Sequence, residues 1–103
     1  MKPARHTPEG KNHYKNKLLK AILLLKNAGE AEKFFNDLLT KKELIEFAQR
    51  WKVAKLLAEK KSYIAIEKDT GMSSTTIARI NKCLQCPDGG YRIILQRIDI
   101  PTK

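Results

Sequence analysis

Between residues 62 and 84, hydroxyl, small and basic side chains fall at spacings suited to a phosphate backbone and to the edges of bases. Ser73, Ser74, Thr75 and Ala78 open a stretch in which Ile77, Ile80 and Leu84 recur at i, i+3 and i+7, the period of one face of a helix. If that apolar stripe is buried, Ser74, Thr75 and Ala78 stand on the outward, N-terminal side. Hydroxyls placed there reach base edges and phosphate oxygens, and an alanine methyl can meet a thymine methyl. Lys60, Lys61, Tyr63, Lys68 and Lys82 flank the stretch and are donors of the kind that hold phosphate. The chemistry on offer is recognition rather than bond making.

One other motif could do chemistry. Cys83-Leu84-Gln85-Cys86 places two thiols at C-x-x-C spacing, enough for half a zinc site or for a redox couple. Zinc needs two further ligands, and the two histidines, His6 and His13, both lie in the N-terminal basic stretch. With no second C-x-x-C in the chain, no metal is expected. No carboxylate pair, Ser–His–Asp arrangement or phosphate-binding glycine loop is present, and Asp88-Gly89-Gly90 reads as a turn. The chain is not expected to be an enzyme.

The elements that must position these residues are helices. Gly and Pro are few, strand-like alternation is scarce, and the fold class read from the pattern is all-α. Ser62 is a candidate N-cap for the first helix of a helix-turn-helix over 62–84. Gly71 sits where the chain must reverse, a position that favours positive φ, with Met72 as the apolar plug of the turn and Ser73 as the second N-cap. Glu67, four residues before Gly71, stands where a small residue would let two helices cross closely. Its side chain must point away from the crossing, or the crossing must be wider.

Around that motif the pattern predicts a basic flexible arm over 1–13 and a helix over 14–27 that is apolar around most of its circumference and closed by a Gly29 C-cap. A second helix over 30–39 presents Phe34 and Phe35 as core, and Thr40 to Glu43 forms a capping box. A long helix over 41–59 carries Leu44, Phe47, Ala48, Trp51, Ala54, Lys55 and Ala58 on one face, extended by Val53, Leu56 and Leu57. A short helix over 91–98 follows the break at 86–90, with a loose tail over 99–103. The 14–98 stretch is read as one helical domain.

The 21 Lys and Arg outnumber the 11 Asp and Glu, giving a net charge of +10 and a pI near 9.8. Such a field attracts nucleic acid or acidic surfaces. With 103 residues the core of a monomer is limited, and oligomerisation is a natural source of further burial. No signal-peptide pattern is read, and the most apolar run, 18–25, contains Lys20 and is too short to span a bilayer. The expectation is a cytoplasmic protein with no membrane partner.

Residues 39–84, the helix order, and Gly89-Gly90-Tyr91-Arg92 beyond them resemble the Trp repressor superfamily, and within it the YerC/YecD-type branch. Ser62-Tyr63, Ile66-Glu67-Lys68-Asp69-Thr70-Gly71 and Thr76-Ile77-Ala78-Arg79-Ile80-Asn81-Lys82-Cys83-Leu84 carry the likeness. The resemblance implies a six-helix, intertwined homodimer and a transcriptional regulator, a repressor, that binds double-stranded DNA at a palindromic operator. In the superfamily's founding repressor, base contacts are largely water-mediated, so no operator sequence is read from these side chains. That repressor holds tryptophan at residues that fall here on Thr40, Arg50, Thr76 and Arg79. Where it has a Gly that leaves room for the indole, this chain has Ile80. The expectation is therefore no cofactor and no tryptophan corepressor, with these five residues the place where tryptophan or another small effector would sit if one binds. The rival reading is a helical protein-interaction module that sets its basic face against an acidic partner. It predicts no base-sequence preference.

Overall fold

The structure, a computed structural model, describes residues 8–99. Six helices follow one another: α1 (Pro8–Ile22), α2 (Ala28–Leu38), α3 (Lys41–Ala58), α4 (Tyr63–Thr70), α5 (Ser74–Leu84) and α6 (Gly90–Asp99). No strand occurs among the described residues. The chain divides into two compact units between Thr40 and Lys41.

In the first unit, α1 corrects the sequence reading at both ends. It begins at Pro8, so residues 8–13 of the expected arm are helical. Pro is suited to the first helical position because its missing N–H would have no partner there, and the Thr7-Pro8-Glu9 run carries that signal. The helix stops at Ile22, and residues 23–26 form a turn and coil. Gly29 is not a C-cap but lies in the first turn of α2. Asn27 caps α2 instead. Its side chain accepts the Glu30 N–H at 2.9 Å, and the Glu30 carboxylate accepts the Lys26 N–H at 2.9 Å. These two bonds satisfy orphan donors reciprocally, which decides the boundary against the apolar run. Phe34 and Phe35 meet edge to face, with ring centroids 5.6 Å apart, but neither is fully buried and α2 has no buried residue. The arm over 1–7 and the tail beyond Asp99 lie outside the described residues.

The second unit holds the core. α3 packs against α4, α5 and α6, and α5 packs against α4 and α6. Val53, Ala54, Ile66, Ile77 and Ile80 form the buried cluster, with Trp51, Leu56, Leu57, Met72 and Tyr91 partly buried against it. The buried face of α3 therefore runs through Val53 and Ala54, while Phe47, Ala48 and Ala58, expected on the core face, are exposed. A helix this apolar offers more than one stripe, and the packing of α4 and α5 selects which one is covered.

α3 ends in a Schellman turn. The Lys61 N–H reaches the Leu56 carbonyl at 3.1 Å and the Lys60 N–H reaches the Leu57 carbonyl at 2.9 Å. This puts Lys60 at φ 67, a left-handed conformation held by a residue with a Cβ. Lys60→Gly is accordingly expected to raise stability by about 1 kcal/mol, the scale of the left-handed penalty for an L side chain. Urea denaturation would show it as a higher midpoint, and an unchanged or lower midpoint would refute it.

Candidate nucleic-acid interface

The helix-turn-helix is built from local hydrogen bonds. The Ser62 hydroxyl accepts the Ala65 N–H at 3.1 Å and starts α4. At its other end the Thr70 hydroxyl donates to the Ile66 carbonyl at 2.8 Å and accepts the Met72 N–H at 3.2 Å. Gly71 takes the left-handed conformation, φ 76, and its N–H donates to the Glu67 carbonyl at 2.8 Å. Met72 then turns into the core cluster. The Ser73 hydroxyl accepts the Thr76 N–H at 3.2 Å and starts α5. The two N-caps, the glycine and the plug read from the sequence are all in these places.

α5 is pinned by Ile77, Ile80 and Leu84, exposed by 0%, 4% and 3%. At about 100° per residue, Ser74, Thr75, Ala78 and Lys82 fall in one sector on the side away from that stripe. All four are exposed. Ser73, Lys60, Lys61, Tyr63 and Lys68 are exposed as well. Between residues 60 and 85 the cations Lys60, Lys61, Lys68, Arg79 and Lys82 face only two acids, Glu67 and Asp69. This surface can accept phosphate and present hydroxyl and methyl groups to a groove.

Three contacts were invisible in the sequence. Asn81 on α5 donates from its amide nitrogen to the Tyr63 phenol oxygen on α4 at 3.2 Å. Tyr63, expected as a phosphate donor, thus also ties the two helices of the motif together. Gln85 reaches back toward the Asn81 backbone and side-chain oxygens at 3.4 and 3.5 Å. Arg92 on α6 donates through Nε to the Leu84 carbonyl at 2.7 Å, closing the C-terminal end of α5.

The remaining flank of α5 lines a cavity of about 250 Å³ with Glu46, Arg50, Met72, Thr76, Arg79, Ile80, Cys83 and Tyr91. The structure therefore gathers Arg50, Thr76, Arg79 and Ile80 in one place. Thr40 belongs to the other unit and is not among the lining residues. Arg50 also lies over the Phe47 ring, 5.7 Å from its centroid. Tyr91 stacks on Trp51 with centroids 6.4 Å apart. Burial pushes the Tyr91 phenol above its ordinary pKa, Cys83 adds to the rise, and Arg50 opposes it. Glu46 and Tyr91 had not been expected at this place. Their distance in sequence from α5 hides them.

Against known proteins the chain matches the Trp repressor protein family over residues 14–99. It is 40% identical over 83 residues to the uncharacterized protein YerC of Bacillus subtilis (strain 168), covering 81% of this chain and 80% of that protein. It is also similar to the crystal structure of a TrpR like protein from Eubacterium eligens ATCC 27750, at a TM-score of 0.80 and 36% identity over 94% of this chain and 100% of that one. A crystal structure from Staphylococcus aureus is similar too, with a TM-score of 0.79 and 35% identity over 95% of this chain and 100% of that one.

Proposed function

The chain belongs to the Trp repressor protein family, one of DNA-binding regulators rather than enzymes, and from that premise we propose that it is a sequence-specific regulator of transcription. It acts as a homodimeric repressor in the cytoplasm, on a palindromic operator in double-stranded DNA, without tryptophan as corepressor. The observation that carries this reading is the exposure of Ser74, Thr75 and Ala78 on a helix whose opposite stripe is locked in the core. Two copies would set α5 into successive major grooves about one helical turn, roughly 34 Å, apart. Ser74 and Thr75 lie nearest the base edges, Ala78 meets a thymine methyl, and Lys60, Lys61, Tyr63, Lys68, Ser73 and Lys82 hold phosphates.

The homodimer is supported by apolar side chains left in solvent in a single copy. Leu23 and Leu24 are 82% and 76% exposed, and Leu19 and Leu38 about half exposed. Covering so many exposed large apolar side chains against a second copy would add the burial that a chain of this length lacks. No helix among the described residues is long and apolar enough to cross a membrane.

Independence from tryptophan is supported by Ile80. Its side chain belongs to the buried cluster with Val53, Ala54, Ile66 and Ile77 while also forming part of the cavity wall. It stands where the founding repressor has a Gly that leaves room for the indole, and it braces α5 directly. Selection of bound duplexes from a random pool at physiological salt, with and without tryptophan, tests the reading. Equal enrichment of a two-fold symmetric site in both arms is expected. Enrichment only with tryptophan would overturn corepressor independence. Salt-sensitive binding with no enriched sequence would overturn the operator reading.

A further inference from the structure

The C-x-x-C pair is the one chemical motif that the DNA-reading surface leaves unused. Cys83 lies in the last turn of α5, and Cys86 follows its C-cap, Gln85. The Cys86 N–H donates to the Cys83 carbonyl at 3.2 Å, so the two residues are the ends of one hydrogen-bonded turn. Such a turn holds its terminal Cα atoms within about 7 Å, and a disulfide spans about 4.4–6.8 Å between Cα atoms. Both thiols are free and exposed. Among the described residues no set of three His, Cys, Asp or Glu is placed to hold a metal ion, and the turn geometry and exposure suit a thiol–disulfide pair.

We propose that Cys83 and Cys86 are a reversible oxidation site, closed to an intramolecular disulfide by a peroxide, and that closing it weakens the hold of α5 on DNA. The second half of the proposal rests on α5 being the reading helix. One thiol sulfur attacks the O–O bond of hydrogen peroxide, giving a sulfenic acid and water. The second sulfur displaces the sulfenic oxygen as a second water and forms the S–S bond. Two thiols and one peroxide thus give one disulfide and two waters, and a dithiol reductant returns the pair. Short-lived disulfides of this kind are the form that regulatory thiol pairs take in reducing compartments.

The coupling to DNA follows from what lies between and around the two cysteines. Leu84 is 3% exposed and anchors the end of α5 in the core. Its carbonyl accepts the Arg92 bond from α6 at 2.7 Å. Cys83 shares a cavity wall with Thr76, Arg79 and Ile80 of the same helix. A disulfide fixes its Cβ atoms about 3.5–4.5 Å apart, and this one would bridge the last turn of α5 to a residue beyond its C-cap. Closure therefore constrains the backbone between them. The following loop gives little room to absorb the change. A Cβ added at Gly89 would come within 3.3 Å of the Cys83 carbonyl oxygen, the Cys86 carbonyl oxygen and the Cys86 Cβ, so the chain is already wrapped against the turn. The backbone at Leu84 and Gln85 moves instead, taking with it the Arg92 contact and the seating of α5.

The test uses the full chain, reduced and then exposed to hydrogen peroxide. Thiols are alkylated under denaturing conditions and counted by intact mass. The expected result is loss of both labelling sites in a species of monomer mass, reversed by dithiothreitol. Binding to the selected duplex, followed by fluorescence anisotropy, is expected to weaken about fivefold to a hundredfold on oxidation, the ordinary range of coupling between two states. Cys86→Ser is expected to bind like the reduced protein and, lacking the second sulfur, to form no intramolecular disulfide with peroxide. Full alkylation after peroxide, or pairing between chains, would overturn the site. A disulfide that leaves affinity unchanged would overturn its coupling to DNA. The labelling arm reads the disulfide whether or not the chain binds DNA. Failure of the reduced protein to bind any duplex would remove the coupling and the operator reading together, while leaving the oxidation site standing or falling on its own count.

Discussion

Thr75→Glu is expected to abolish specific operator binding, by about a hundredfold or more, while the chain stays folded and its assembly state is unchanged. Thr75 is exposed, and its side chain stands in the sector of α5 opposite Ile77, Ile80 and Leu84. A carboxylate there faces bases and phosphates at close range, where like-charge juxtaposition costs several kcal/mol. The helix itself does not suffer. Thr75 is the second residue of α5 after the Ser73 cap, and an acidic side chain in the first turn is favourable to the helix dipole. Loss of binding with an unchanged circular-dichroism melt would therefore report recognition rather than folding. Thr75→Ala, which removes the hydroxyl without adding charge, should cost only about tenfold, at the low end of a base contact. Operator affinity retained by Thr75→Glu would show that another surface reads the DNA.

Ile77→Ala is expected to be the most destabilising single truncation in α5, at about 2–5 kcal/mol. Ile77 is 0% exposed and touches the same cluster as Val53, Ala54, Ile66 and Ile80. Removing its branched side chain loses the transfer free energy and leaves a cavity that helices packed on three sides cannot close. In urea the midpoint should fall with little change in slope, measured at one protein concentration because association adds to apparent stability. Ile64→Ala supplies the contrast. Ile64 is 70% exposed, and its loss should shift stability by less than about 0.5 kcal/mol. A small effect at Ile77 would mean that α5 is seated by contacts other than its apolar stripe.

The helix-turn-helix was legible residue by residue because each of its parts is local. Ser62 and Ser73 cap within three residues, Gly71 accepts a left-handed φ with its own backbone, and Ile77, Ile80 and Leu84 repeat at helical spacing. The start and end of α1 were misread although their signals are local too, because Pro8 and Asn27 compete there with a stronger-looking apolar pattern. An apolar run continues past Ile22, and the competing signal, Asn27 with Glu30, ends it through two hydrogen bonds that favour starting α2 there.

What the sequence by itself determined is the six-helix order, the basic field and the side-chain chemistry of α5, all carried by periodicity, capping and charge within one turn or two of the chain. What only the tertiary structure decided is which stripe of α3 is buried, that Asn81 holds Tyr63 from eighteen residues away, that Arg92 closes the end of α5, and that Glu46 and Tyr91 share a wall with Arg50, Thr76, Arg79 and Ile80. A helix with several apolar stripes and polar side chains on every face has no local preference among partners. The choice is made by shape and hydrogen-bond satisfaction once the helices meet.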